Sequence, residues 1–307
     1  MELALALRER VRPGLGAHAG RAHDAAAAGA GGDVTFALDA EAEETLAAWV
    51  AERAPRLARY SEDRGLVLPP AGNDPEHVLV VDPIDGTRPA LAGLESACVA
   101  VALAAFGDGE PTMGDVQIGC VVDIKGDGRF VGERGRGVES SSPVALSANE
   151  RLERMFWAFG FRGRPARPTV EVIGELIDAS SVGGGTFELG SQCFGMTRVL
   201  TGQLDAVVEC GSRLVDEVPG MREAFMAVGD GAILNNSPYD LAAPTLLLAE
   251  AGAVVSDGWG RPLDDRPLLG SGHEFQMSSI TAANATLHSR LVAEVDRGVA
   301  RLRALAS

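Results

Sequence analysis

The chain has 307 residues, with 27 lysines and arginines against 43 aspartates and glutamates, and so a formal charge of −16 at neutral pH. That surplus argues against nucleic-acid and anionic-membrane partners, because nothing in it balances a polyanion. With 46% hydrophobic and 23% charged residues the composition excludes a disordered or fibrous chain, and the length suits one large domain or two packed halves.

Glu2 to Arg12 reads as a short helix stopped by Pro13, followed by an alanine- and glycine-rich stretch, Ala25 to Gly32, read as a mobile loop. From Asp39 to Arg59 apolar and acidic residues recur at helical spacing, with Leu46, Trp49 and Val50 on one face, before Ser61-Glu62-Asp63. Val78 to Val81 is a continuous apolar run that suits a buried strand ending in Asp82. A second strand follows at Ala97 to Phe106, then a hairpin of Gln117 to Ile124 and Arg129 to Glu133 around Lys125-Gly126-Asp127-Gly128. The serine-rich segment Glu139 to Pro143 marks a boundary between an N-terminal half, 1–142, and a C-terminal half, 143–307. Beyond it come strands at Met155 to Phe159, Leu204 to Val208 and Ala253 to Ser256, and helices at Thr169 to Ala179 and Gln192 to Leu200. A proline-opened helix starts at Pro238 and a long amphipathic helix at Ala285. The pattern is that of a layered, mixed α/β protein.

The longest strongly apolar run, Ala97 to Phe106, falls short of the ~20 residues that span a bilayer, and the start carries Glu2 rather than a basic leader. A soluble, cytoplasmic protein is expected. Cys98, Cys120, Cys193 and Cys210 form no C-x-x-C pair, which predicts buried, reduced thiols rather than a disulfide framework or zinc site.

The strongest chemical signal is Asp82-Pro83-Ile84-Asp85-Gly86-Thr87. Two carboxylates three positions apart at the end of a buried strand, stiffened by a proline, can aim at one point in space. Hard oxygen ligands fixed by the backbone are what Mg²⁺ requires, and the Ile84 carbonyl can add a third. Gly86 lets an anion approach the main chain, and the Gly86 and Thr87 amides at a helix start suit a phosphate oxygen. An isolated Asp-Gly turn is common on surfaces; this one directly follows a hydrophobic strand.

On these residues the sequence resembles the inositol monophosphatase family, within the wider group that includes fructose-1,6-bisphosphatases and bisphosphate nucleotidases. The family's Asp-Pro-x-Asp-Gly-Thr motif stands complete at Asp82 to Thr87. Ser61-Glu62-Asp63 resembles its upstream acidic pair, and Val34 to Asp39 its Thr-x-x-Asp region, although Thr35 lies four positions before Asp39. Tyr239-Asp240-Leu241-Ala242-Ala243 resembles the second motif, Phe187 to Ser191 a segment that touches substrate, and Leu204 to Glu209 the strand that follows. The resemblance implies an α/β/α/β/α sandwich with two or three Mg²⁺ ions held by Glu62, Asp82, the Ile84 carbonyl, Asp85 and Asp240. It implies Asp39, Glu62 and Thr87 as catalytic residues, Gly86 and Thr87 on the phosphate, and Gly190, Ser191 and Glu209 on the rest of the substrate. The implied activity is release of phosphate from a small polyol or sugar phosphate, with lithium inhibition and a homodimer. Fructose-1,6-bisphosphatase or 3′(2′),5′-bisphosphate nucleotidase is the alternative within the same chemistry, and a non-catalytic binding protein on the same fold the alternative outside it.

Several features depart from the pattern. Pro244 replaces the glycine ending the second motif and removes the amide that would bond the Asp240 carbonyl, which predicts a kink. The interval from Glu209 to Asp240 is long, and Val215 to Asn236 reads as an insert that either lines the pocket or is peripheral. Arg88-Pro89 replaces an aromatic-bearing stretch, and the basic residue expected near the first loop has only Arg21 and His23 as substitutes. Gly183-Gly184-Gly185-Thr186 lacks dinucleotide-binding spacing and reads as a loop, and Met221, Phe225 and Met226 read as packing.

Overall fold

A strand that is apolar at every position, as Val78 to Val81 is, needs cover on both faces. A computed structural model of the chain, describing residues 1–17, 23–28, 34–70, 74–107 and 109–306, places that run in β5 (His77–Asp85), within a seven-stranded sheet ordered β4-β3-β5-β6-β7-β8-β9. Its other strands are β3 (Ala58–Ser61), β4 (Gly65–Val67), β6 (Cys98–Ala105), β7 (Val116–Asp123), β8 (Arg129–Glu133) and β9 (Gly137–Ser140). Leu79, Val81, Val99 and Val101 pack against α1 (Glu2–Val11) and α2 (Ala37–Arg53). Val78, Val80, Ala100 and Ala102 face the opposite way, toward α5 (Gln192–Leu200) and α8 (Pro238–Ala251). The period of two along each strand thus feeds two separate cores.

The second sheet is ordered β11-β10-β12-β14-β13 and comprises β10 (Phe156–Phe159), β11 (Gly185–Glu188), β12 (Ala206–Glu209), β13 (Val254–Ser256) and β14 (Ser279–Ala282). Ala158 and Val207 face α5 and α8, whereas Trp157, Ala206, Val208 and Ile280 face α4 (Ala166–Ser180) and α9 (Ala285–Ala306). The result is the five-layer α/β/α/β/α sandwich that the resemblance implies. Three shorter helices, α3 (Thr87–Ala92), α6 (Gly211–Glu217) and α7 (Met221–Val228), and a two-stranded ribbon of β1 (His23–Ala28) and β2 (Val34–Phe36) complete the described elements. None of the described helices is long and apolar enough to cross a membrane. All four cysteines are buried and unbridged.

Some expected elements are corrected. Ala25 to Ala28 lie in β1 rather than in a loop, while 29–32 of that stretch, like Arg21, fall outside the described residues. The helix expected to reach Arg59 ends at Arg53, because Pro55 disfavours helical geometry at Ala54, and Ala58 to Ser61 form β3 instead. Gly185 and Thr186 are strand, in register with Phe156 and Trp157. The glycines before them let the chain run close to its neighbour, since a Cβ on Gly183 would stand 2.6 Å from the Glu153 carbonyl oxygen. Glu139 and Ser140 belong to β9, so the chain leaves the first sheet only after them. Phe225 is fully buried and Met221 packs beside it, but Met226 is exposed.

Candidate active site

In a regular strand Asp82 and Asp85 would point to opposite faces, because they are an odd number of residues apart. The β5–β6 register removes the conflict: Asp82 pairs with Ala100 and Asp85 with Cys98, so three steps on one strand match two on the other. One extra residue makes a β-bulge, and Pro83, which has no amide to give a ladder, sits within it. Both carboxylates then face the layer of α5 and α8. The motif is therefore a bulged continuation of the strand rather than a turn beyond its end.

Asp240 arrives from the other side, at the third position of α8. Ser237 caps this helix, and its main-chain amide donates to the Asp240 carboxylate at 2.6 Å, which fixes the side chain beside the helix start. A Cβ on Gly119 would stand 2.6 Å from the Ala243 carbonyl oxygen, so that glycine lets α8 lie directly on β7. Carboxylate oxygens of Asp82, Asp85 and Asp240 fall within 4.8 Å of one another, all three residues being buried. Glu62, the Ile84 carbonyl's residue, Gly86 and Thr87 line the same nest of about 40 Å³.

Pro244 does not interrupt α8, which runs from Pro238 to Ala251. The Asp240 carbonyl that loses its helical partner accepts a hydrogen bond from the Cys193 thiol, with Sγ 2.9 Å from the oxygen. The Cys193 amide also donates to the Asp85 carboxylate, as does the Ser191 hydroxyl at 2.6 Å. Cys193 thus holds two of the three clustered acids. Burial pushes its thiol pKa well up, as it raises that of Cys98, so both are donors here rather than thiolate ligands.

Thr87 Oγ1 lies 3.1 Å from both an Asp39 carboxylate oxygen and the Ile84 carbonyl oxygen. Its single proton can go to one of them at a time. The other Asp39 oxygen accepts from the Phe36 amide at 2.8 Å, at the start of α2. Gly86 has φ 91°, and a Cβ there would come within 2.7 Å of the Ser96 carbonyl oxygen and 2.8 Å of Ser191 Cβ. Only glycine fits this backbone.

The electrostatics follow from burial and crowding. Burial above all, and then the charges of Glu62, Asp85 and Asp240, push the Asp82 carboxyl well above the ordinary range. Asp240 is raised to about 7, first by burial and then by Asp85, while Arg162 opposes the rise. Burial also raises Asp85, and the bonds from Ser191 and Cys193 offset part of that. Three desolvated acids this close cannot all ionise unless a cation joins them. The donor set is hard oxygen, so it fits Mg²⁺.

Gly190, Ser191 and Glu209, the residues expected on the substrate, line a polar cleft of about 60 Å³ together with Asp85 and Asp240. Ser191 also caps α5, accepting from the Phe194 amide at 3.1 Å. Glu209 is buried and already engaged, with one oxygen accepting from Arg164 Nε at 2.7 Å and from the Gly211 amide at 2.6 Å. Its second oxygen, Oε2, is buried with no hydrogen-bond partner among the described residues.

Arg162 and Arg164 were not among the residues expected here. Arg162 lines the acidic nest and the polar cleft alike and supplies a basic group there, whereas Arg21 and the side chain of His23 lie outside what the structure describes. The available signal was their position just beyond β10, because ligands in parallel sheets gather at the carboxyl ends of strands. Cys193 was also missed, since only the packed helices bring it beneath Asp240.

The insert is not merely peripheral. Val228 and Leu234 from it, with Leu94, Phe161, Arg88 and Arg162, wall a cavity of about 790 Å³ beside the nest. A Cβ on Gly190 would stand 2.7 Å from Pro89 Cγ, so Arg88-Pro89 packs directly on the substrate-side loop.

Comparison with known proteins gives the family and the fold. The chain is 26% identical over 266 residues to an inositol-1-monophosphatase of Mesorhizobium japonicum, covering 84% of this chain and 86% of that one. It is 27% identical over 276 residues to a fructose-1,6-bisphosphatase/inositol-1-monophosphatase of Methanothermobacter thermautotrophicus, covering 86% and 84%. Nus factor SuhB of Pseudomonas aeruginosa is 24% identical over 268 residues, covering 86% and 83%. Among solved structures, the Thermotoga maritima IMPase superposes with a TM-score of 0.68 at 20% identity over 98% of this chain and 96% of that one, and shows the same fold. The model of the inositol monophosphatase family matches residues 1–300. With its bulged Asp-Pro-Ile-Asp-Gly-Thr strand meeting Asp240 across the central helices, the chain is a phosphatase belonging to the inositol monophosphatase family.

Proposed function

We propose that the chain is a magnesium-dependent phosphomonoester hydrolase that releases phosphate from a small polyol or sugar phosphate. The observation that carries this reading is the convergence of Asp82, Asp85 and Asp240, from two distant motifs, to within 4.8 Å in a buried nest. Glu62, Asp82, Asp85, Asp240 and the Ile84 carbonyl would hold two or three Mg²⁺ ions, which supply positive charge for the transferring phosphoryl group and lower the pKa of water. The halves 1–142 and 143–307 contribute to this nest jointly and act as one catalytic unit.

The chain's own groups then divide the work. With the Ile84 carbonyl engaged, the Thr87 hydroxyl directs its proton to Asp39, and its oxygen can accept a proton from an attacking water. The proton passes to Asp39, whose other oxygen stays fixed by the Phe36 amide. The Gly86 and Thr87 amides hold phosphate oxygens, and Gly190, Ser191 and Glu209 border the departing alcohol.

The test is phosphate release from inositol-1-phosphate, fructose-1,6-bisphosphate and a 3′,5′-bisphosphate nucleotide, with Mg²⁺, with chelator and with Li⁺. Turnover of the first only with Mg²⁺, inhibition by Li⁺ and its abolition in Asp85→Asn are expected. Metal-independent turnover, or full activity of that variant, overturns the reading. Absence of Mg²⁺ binding by calorimetry would instead favour a non-catalytic binding protein, and gel filtration at the mass of two chains is expected of a homodimer.

A further inference from the structure

The spaces that meet at the acidic nest differ in size and chemistry. The polar cleft is small, about 60 Å³. It is further committed by the buried Arg164–Glu209 pair, at 2.7 Å. A second, more open space of about 790 Å³ adjoins the nest, with Arg88, Arg162 and Gly190 bordering both. Its lining mixes Arg88, Arg162, Glu188 and Asp230 with apolar side chains, two of them left largely in water: Leu94 is 54% exposed and Val228 52%. Phe161 and Leu234 also line it, and Leu234 is seated against Gly163, where a Cβ would approach the Leu234 Cβ to 2.6 Å. Exposed apolar surface gathered round one opening marks a binding site.

We propose that this groove receives the outer part of the substrate's alcohol, beyond the portion that Gly190, Ser191 and Glu209 border, and that the enzyme favours phosphomonoesters whose alcohol carries an aromatic or similarly flat apolar body over those whose alcohol lacks one. The inference rests on the phosphatase reading above and specifies its substrate class. Arg88, Arg162 and Gly190 border the nest and the groove alike, so an ester held in the nest has this apolar surface within reach of its alcohol. The segment Val215 to Asn236, which contributes Val228 and Leu234, is on this account a specificity element.

The experiment compares 2-phenylethyl phosphate with ethyl phosphate, whose leaving alcohols are of similar acidity, so that their difference reports binding rather than intrinsic reactivity. An apolar group filling a pocket is worth about tenfold or more in kcat/KM, and that preference is expected in the wild type. It should shrink to within about twofold in Leu234→Asp while turnover of ethyl phosphate is unchanged. Leu94→Asp, at an exposed position, makes the same test with no demand on folding. Calorimetry with the unreactive 3-phenylpropylphosphonate and propylphosphonate reads binding directly, with the same ratio expected and the same loss in both variants. Equal binding of the two phosphonates, or a preference that survives both substitutions, overturns the inference. Hydrolysis of no phosphomonoester at all, inositol-1-phosphate included, overturns the phosphatase reading instead, and the phosphonate ratio still decides the cavity.

Discussion

The bond between the Cys193 thiol and the Asp240 carbonyl is an exchange forced by Pro244, and it can be tested as one. Pro244 has no amide for the carbonyl four residues back, and the fully buried Cys193 supplies the missing donor at 2.9 Å. Cys193→Ala leaves that buried carbonyl without a partner, at a cost of about 1–3 kcal/mol. Removing the sulfur adds a packing loss of about 1 kcal/mol. The Cys193 amide is untouched, so its bond to Asp85 persists. In a Pro244→Ala background the helix provides its own amide to Asp240, and Cys193→Ala should then cost only the packing loss. A double-mutant cycle by urea denaturation should therefore give a coupling of about 1–3 kcal/mol, the double variant being more stable than the two single changes predict. The Mg²⁺ concentration for half-maximal activity should follow, rising in Cys193→Ala and recovering in the double variant. Additivity within about 0.5 kcal/mol would refute the exchange.

Gly86→Ala should abolish phosphate release with the fold retained by circular dichroism, since φ 91° and the Ser96 and Ser191 contacts exclude a Cβ; an active variant would contradict the tight-turn account. Asp82 and Asp240 have carboxyl pKa values raised above those of the unfolded chain, Asp240 to about 7. The Asp240 contribution to stability is whole below about pH 4 and is lost as pH rises through about 7, and that of Asp82 is likewise lost on raising pH, so the melting temperature in chelator should fall from pH 5.5 to 8.5 relative to that in Mg²⁺. A Mg²⁺-induced shift that does not grow with pH would count against the acidic nest as the metal site. Arg164→Met should destabilise by about 3–5 kcal/mol, because it strands the buried Glu209 charge. Adding Glu209→Gln should recover part of that loss in thermal unfolding, and no recovery would show that the pair is not the cause.

Much of the architecture was legible along the chain because it depends on near neighbours. The unbroken apolar run of β5, the Lys125 to Gly128 turn and the Ser237-Pro238 cap each show a local periodicity or backbone preference. The helix ending at Arg53 was also readable from Pro55, and was missed because the apolar spacing continued past it. The glycine run before β11 looked like a loop because its reason, close contact with the Glu153 carbonyl, lies outside the segment.

The chemistry divides in the same way. The types and spacing of Asp82, Asp85, Gly86 and Thr87 are sequence facts, and they already point to an oxygen-rich cation and phosphate site. That both aspartates face one side is decided by a single extra residue in the β5–β6 register. That Asp240, Cys193, Arg162 and the α6–α7 insert gather round them is decided by packing across the central layer. A sequence encodes the preferences of neighbouring residues directly, but the approach of groups far apart in the chain is set by how two sheets and their helices close over shared cores.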